Sequence, residues 1–108
     1  MPERGREIIT PLIHLGDVIR IRFVRDRRRA VRFTVQYEAL VDEVGAPIVR
    51  YDTAHGFAHR DVLDWDGTTR HTKPMTGHTT YAEAMDSAIA DIASNWERYR
   101  YEFIRKQT

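Results

Sequence analysis

The sequence predicts an α+β fold, in which a four-stranded antiparallel meander sheet is packed by one long C-terminal helix. In residues 17–67, apolar and polar residues alternate in short runs, as they do in half-buried strands. In residues 80–106, apolar residues instead recur every three or four positions, as on one face of a helix. A chain of 108 residues has room for one core. We therefore expect a single domain, with an N-terminal arm (1–16) before the sheet and a loop (68–79) between the sheet and the helix.

Two alternating runs predict the first pair of strands. In residues 18–24, apolar side chains alternate with Arg20 and Arg22. In residues 31–39, every odd position is apolar and the positions between are polar. Because two such runs joined by a short polar stretch usually pair antiparallel, residues 25–32 are predicted to contain a hairpin connection.

The third and fourth strands are predicted to be shorter. A Gly and a Pro mark a turn within residues 42–47, and residues 48–52 follow as the third strand. After an interruption at Gly56, residues 59–65 are predicted to form the fourth strand. Strands that follow one another with short connections favour a meander.

The C-terminal helix has a well-marked start. Thr80 can cap it, and Glu83, three residues later, can return a hydrogen bond to the backbone of the cap residue. Neither the helix nor the sheet can bury its apolar side alone, so we expect the two to pack on each other. The largest matched apolar surfaces are Ile89, Ile92 and Trp96 on the helix and Ile21, Phe33 and Val35 on the sheet.

The composition restricts the classes of function. The chain has no cysteine, which excludes disulfides and thiolate zinc sites and favours a cytoplasmic location. No apolar stretch is long enough to span a membrane, so no membrane partner is predicted. The net charge is only +1, and local charge patches therefore matter more than the whole-molecule field.

The segment that spans residues 50–61 concentrates the groups that transfer protons. It holds two histidines, two aspartates and two arginines around one glycine turn. His55 and His59 are predicted to act as acid and base, with Asp52 or Asp61 orienting an imidazole ring. The alternative is that these side chains only satisfy loop amides and hold two strands together.

A metal site is the second chemical possibility for this segment. His55 and His59 with a carboxylate would make a set of two histidines and one carboxylate. Four-residue spacing brings histidines together on a helix, but Gly56 and the strand after it argue against a helix here, so the spacing is not decisive. We therefore predict neither a metal nor another cofactor.

An arginine-rich surface is predicted for the sheet. In the structural interpretation, the arginines form a solvated hairpin that protects a sheet edge. In the functional interpretation, they contact the phosphates of a nucleic acid. The residues assigned to nucleic-acid binding are Arg20, Arg22, Arg27, Arg28, Arg29, Arg32 and Arg60.

Residues 50–61 contain the triplets Arg-Tyr-Asp, Ala-His-Gly and His-Arg-Asp, and an Asn-Trp pair follows at Asn95 and Trp96. With these motifs the chain resembles a group of small prokaryotic proteins of unknown function. It is more distantly similar to TumE-like toxins of toxin–antitoxin systems. This resemblance implies a toxin-like or defence-associated protein that acts on RNA or on a partner protein such as a cognate antitoxin.

The sequence therefore indicates two candidate functions. The first is a toxin-like protein acting on RNA, in its most specific form a metal-independent ribonuclease that uses His55 and His59, with Arg60 and the arginine hairpin holding phosphate. The alternative is a non-catalytic binding module that docks a cognate protein. In this alternative the turn that carries His55 and His59, called the histidine turn below, is structural.

Overall fold

The computed structural model describes residues 3–12 and 16–106 of the chain, with the backbone alone of Glu3. Within this part, six strands form one antiparallel sheet in the order of the chain, and one helix follows them. The α+β class and the meander are as predicted, whereas the prediction of four strands is wrong. The elements are β1 (Glu3–Pro11), β2 (Val18–Asp26), β3 (Arg29–Val41), β4 (Val44–Asp52), β5 (His59–Leu63), β6 (Thr69–Pro74) and α1 (Tyr81–Arg105).

The first additional strand lies in the predicted N-terminal arm. Strand β1 pairs with β2 along its whole length, from Glu3 opposite Asp26 to Pro11 opposite Val18. Its sequence does not alternate between apolar and polar residues. Ile8 and Ile9 are adjacent, and both side chains are about half exposed. An edge strand is held by backbone pairing on one side and does not need an apolar face, so its sequence carries a weak signal.

The second additional strand lies in the predicted loop of residues 68–79. Strand β6 pairs with β5 at the opposite edge of the sheet, and all six of its side chains are exposed. Its charged residues and its terminal Pro74 are the residue types that protect sheet edges from further pairing. Without a buried face, hydrophobic periodicity could not reveal this strand.

The turn between β3 and β4 is shorter than predicted. It consists of Asp42 and Glu43, which have φ values of +51° and +67°, while Gly45 and Pro47 lie within β4. Two central residues with positive φ are typical of a type I′ turn, whose twist matches that of the flanking strands. Pro47 is tolerated because the register of the pairing with β3 shifts next to its partner, Glu38.

Glu43→Gly is expected to raise the free energy of unfolding by roughly 0.5–1 kcal/mol. A side chain costs free energy in the left-handed region, and Asp-Gly is a preferred type I′ sequence. Part of the gain is lost to the greater freedom of glycine in the unfolded chain. Urea unfolding would measure the change, and Glu97→Gly in the exposed part of α1 should have the opposite sign. A loss of stability in Glu43→Gly would contradict the assigned turn.

Helix α1 starts as the sequence predicts. The Thr80 hydroxyl accepts a hydrogen bond from the Glu83 backbone N–H at 3.2 Å, and the Glu83 carboxylate accepts one from the Thr80 N–H at 3.0 Å. This reciprocal capping box satisfies two amide groups that the first turn leaves without helical partners.

The helix covers one face of the sheet and forms the core with it. Ile92 is fully buried, as expected, whereas Ile89 and Trp96 are only partly buried at the margin of the same core. The expected sheet partners, Ile21, Phe33 and Val35, belong to that core. In the described residues, no helix is both long and apolar enough to cross a membrane.

Candidate functional site

Strand alternation places the candidate site on the sheet face that the helix does not cover. Tyr51 in β4 directs its hydroxyl to Asp91 of α1, so the next residue, Asp52, lies on the opposite face. Asp52 pairs directly with His59 of β5, and Asp61 follows two residues later on the same face. Three of the four residues predicted to be catalytic therefore come together.

The His59 imidazole lies at the centre of this group and is only 2% exposed. Its Nδ1 lies 3.2 Å from the Phe57 carbonyl oxygen, which can only accept a hydrogen bond, so Nδ1 is the donor. Its Nε2 lies 3.0 Å from Asp52 Oδ1 and 3.5 Å from Asp61 Oδ2. Both ring nitrogens of His59 are thus engaged by the protein.

The turn between β4 and β5 shields His59 from solvent. The rings of His55 and Phe57 each lie with their centroids 5.4 Å from the His59 ring. The turn closes through a hydrogen bond from the Gly56 N–H to the Thr53 carbonyl, and Gly56 has a φ of +83°, which favours glycine. His55 itself is exposed, so the two predicted catalytic histidines have different environments.

Neighbouring groups hold both carboxylates in place. Asp52 Oδ1 accepts a hydrogen bond from the Ala54 N–H at 3.0 Å. Asp61 Oδ1 accepts one at 2.7 Å from the Thr72 hydroxyl of β6, which leaves Asp61 Oδ2 facing His59. Sequence reasoning missed Thr72 because it lies in the segment that was predicted to be a loop.

Arg60 does not join this group. It lies between His59 and Asp61 in β5, so alternation turns it to the helix-covered face. There its guanidinium donates to the Tyr99 hydroxyl at 3.1 Å. The structure therefore places Arg60 on the opposite side of the sheet from the histidine turn.

A buried polar network under the helix was also missed by sequence reasoning. The hydroxyls of Tyr51 and Tyr99 both donate to the Asp91 carboxylate, and Asn95 donates to its other oxygen at 2.9 Å. Burial, together with the hydrogen bond to Asp91, raises the pKa of both tyrosines, so they remain protonated donors. The available signal was the spacing of Asp91, Asn95 and Tyr99, which puts them on one helix face.

Two of the predicted nucleic-acid-binding arginines are neutralised within the sheet. Arg20 Nε donates to Glu38 at 2.7 Å, and its Nη1 lies 3.2 Å from Glu7. Arg22 donates to the same Glu7 carboxylate at 2.7 Å. Hydrogen bonds from Arg22 and Arg20 hold the pKa of Glu7 below its usual value. The partner Glu7 is supplied by β1, which the sequence did not reveal as a strand.

The remaining hairpin arginines project from one end of the sheet. Strand β4 pairs with β3 only as far as Thr34, so the β2–β3 hairpin extends beyond it. Arg4 of β1 pairs directly with Arg25 in β2 at this end, and all the arginines here are exposed. We call this cluster the basic tip, and it consists of Arg4, Arg25, Arg27, Arg28 and Arg29.

A groove lies beside β1 and reaches the first residues of the turn between β4 and β5. It has a volume of about 610 Å³ and lies between β1 and the start of the β4–β5 turn. Arg22, Arg32 and Asp52 line it, together with Thr53 and Ala54 of the turn. Asp52 thus contributes both to the wall of the groove and to the group around His59.

Comparison with known proteins assigns the chain to a family without a known activity. No curated protein matches the sequence, and no solved structure matches the fold. Residues 3–108, which include every described strand and the helix, match the model of a domain of unknown function, DUF7718, and the chain therefore belongs to the DUF7718 family.

Proposed function

We propose that the protein binds RNA through its basic tip. The observation that carries this proposal is the concentration of five exposed arginines at one end of a molecule whose net charge is only +1. Arg27, Arg28 and Arg29 make no ion pair with any side chain that the structure describes. Exposed guanidinium groups that are not neutralised by carboxylates are suited to phosphate contacts.

The pairing of Arg4 with Arg25 supports a polyanionic ligand. Like charges directly opposite each other destabilise a pair of strands, and this pair lies in the register of β1 and β2. The guanidinium of Arg25 also stacks over the Phe23 ring at 5.1 Å, which positions the charge. A bound phosphate chain would relieve the repulsion between the two arginines.

The groove gives the RNA a path from the basic tip toward the histidine turn. Arg32 lines it together with the ion pair of Arg22 and Glu7, and exposed His55 follows the lining residue Ala54 on the turn. In this proposal His55 is the imidazole that reaches the RNA, and buried His59 holds the turn in place. Cleavage of RNA by His55 and His59 together stays a prediction, since His59 could reach a substrate only if the turn opened.

For the role of RNA binding in the cell, we propose a toxin-like or defence function. Its support is the resemblance of residues 50–61 to small prokaryotic proteins and, more distantly, to TumE-like toxins. Induced expression should then inhibit bacterial growth, and the basic-tip variant described below should inhibit it less. If the wild-type protein and the basic-tip variant inhibited growth equally, the growth inhibition would not depend on RNA binding by the basic tip.

The alternative function, a binding module for a protein partner, is favoured by one observation. His59 is buried and has partners on both ring nitrogens, as expected of a structural residue in a turn. This alternative would gain support if the wild-type protein failed to bind RNA at low salt.

The proposal is tested by removing charge from the hairpin. The variant Arg27→Asn, Arg28→Gln, Arg29→Gln should bind a labelled single-stranded RNA more weakly and remain folded. Asparagine is chosen for position 27 because Arg27 has a φ of +59°. The plot of log K against log salt has a negative slope, and its magnitude should decrease by about 2, since each of the three lost phosphate contacts on a single strand contributes about 0.7. Fluorescence anisotropy over a salt series would measure both quantities.

A matched control removes the same charge from the other end of the molecule. Arg98→Gln, Arg105→Gln, Lys106→Gln acts on exposed residues near the C-terminal end of α1 and at its C-cap, and its RNA affinity should stay within about twofold of wild type. Equal weakening by both triple variants would show only an effect of net charge and would contradict the assignment to the basic tip.

A further inference from the structure

We propose that Asp52, His59 and Asp61 bind one divalent transition-metal ion, with Zn²⁺ or Mn²⁺ as the expected ions. One ligand atom from each of these residues lies within 4.8 Å of the other two. The set differs from the one that sequence spacing suggested, because it includes one histidine and two aspartates rather than His55 and His59.

The orientation of the His59 ring is the first argument. Nδ1 donates to the Phe57 carbonyl, and this outer hydrogen bond is the one that metal-binding histidines usually make. In neutral imidazole, Nε2 then carries a lone pair, and that lone pair faces two carboxylate oxygens. Electron-rich atoms directed at one another inside the protein repel unless positive charge lies between them, and one metal ion would supply that charge.

The distances are the second argument. With ligand bonds of about 2.1 Å, neighbouring ligand atoms are separated by about 3.0 Å in octahedral and about 3.4 Å in tetrahedral coordination. Nε2 of His59 lies 3.0 Å from Asp52 Oδ1 and 3.5 Å from Asp61 Oδ2. These two separations are close to those that a shared ion requires, and all three ligand atoms lie within 4.8 Å of one another.

The support of the carboxylates is the third argument. Thr72 holds Asp61 Oδ1, and the Ala54 N–H holds Asp52, so both acids are oriented by groups outside the cluster. Hydrogen bonds of this kind orient ligands and add affinity at metal sites. They also limit the side-chain entropy that metal binding must otherwise remove.

The ligand types indicate which ion binds. Imidazole favours zinc, iron and related metals, whereas Mg²⁺ and Ca²⁺ prefer oxygen ligands alone. Three protein ligands leave at least one coordination position for water or another oxygen ligand. Asp52 also lines the groove, so that position is next to the path that the RNA takes if the proposed function is correct.

Titration of the chelator-treated 108-residue protein with ZnCl₂ and with MnCl₂ tests the proposal. Calorimetry should find one ion per chain for at least one of the two salts. A free-ion concentration one hundredfold above the dissociation constant should raise the melting temperature by on the order of 10 °C. Asp52→Asn and Asp61→Asn should each weaken binding by at least about tenfold, because a neutral amide replaces an anionic ligand.

A surface variant keeps the test independent of folding defects. Thr72→Val removes only the hydroxyl that holds Asp61 and should weaken metal binding by about 10-fold. Thr69→Val on the same exposed strand and His55→Ala should bind the ion as wild type does. The charge-reduced basic-tip variant should also bind the ion normally, so a failure of RNA binding and a failure of metal binding are separate results.

Two results would overturn the metal site. Absence of stoichiometric binding of either ion to folded protein at about 1 mM would show that Asp52, His59 and Asp61 do not form a metal site. Binding that is unchanged in both asparagine variants but lost in His55→Ala would place the ion on a different set of ligands.

Discussion

Ile92→Ala is expected to lower the free energy of unfolding by about 2–5 kcal/mol. Ile92 has no solvent exposure and belongs to the core that joins α1 to the sheet. Its truncation removes buried apolar atoms and leaves a cavity that the surrounding sheet can fill only in part. Urea unfolding with an unchanged m-value would measure the effect directly.

An exposed residue of the same helix provides the control for Ile92. Tyr101 is 64% exposed, and Tyr101→Ala should change the free energy of unfolding by no more than about 0.5 kcal/mol. If Ile92→Ala also cost less than about 1 kcal/mol, the helix would not cover the sheet as the structure places it.

Asp17→Ala is expected to cost about 3–5 kcal/mol, because it leaves buried polar groups without their partner. Asp17 precedes β2 and is 1% exposed. Its carboxylate accepts hydrogen bonds from the Tyr37 hydroxyl at 2.5 Å and from the Leu40 N–H at 3.0 Å. Arg100 of α1 approaches it at 3.6 Å, so one acid connects β2, β3 and the helix.

Two companion variants separate the contributions at Asp17. Asp17→Asn keeps acceptor oxygen for one donor and should cost less than Asp17→Ala. Burial and the hydrogen bond to Asp17 raise the pKa of Tyr37, so Tyr37 remains a donor throughout the neutral range. Adding Tyr37→Phe to Asp17→Ala should therefore cost less than the sum of the single changes. Strictly additive losses would show that the two side chains do not interact.

The inner strands were predictable because burial imposes a local period. β2 and β3 have one face in the core, and their alternation of apolar residues with Arg20, Thr34 and Gln36 reports that face. The edge strands β1 and β6 have no such face, and hydrogen bonds to β2 and β5 hold them instead. Backbone hydrogen bonding places little constraint on residue type, so the sequence did not predict these two strands and only the structure revealed them.

The candidate site was predictable in part for the same reason. His59 and Asp61 are two residues apart on one strand, so strand alternation puts them on one face. The same alternation turns Arg60 to the other face, although the sequence analysis assigned Arg60 to the site of the histidines. The pairing of Asp52 with His59 depends on the register of β4 and β5. The ion pairs that neutralise Arg20 and Arg22 depend on Glu7 in β1.

The sequence by itself determined the α+β class, the alternating inner strands, the capped helix and the segment in which the polar groups concentrate. Only the tertiary structure decided that His59 is buried while His55 is exposed, and that Thr72 supports Asp61. The physical reason is that periodicity and capping act between residues a few positions apart. Burial and side-chain contacts between strands arise instead from segments that are distant in the chain and meet only after folding.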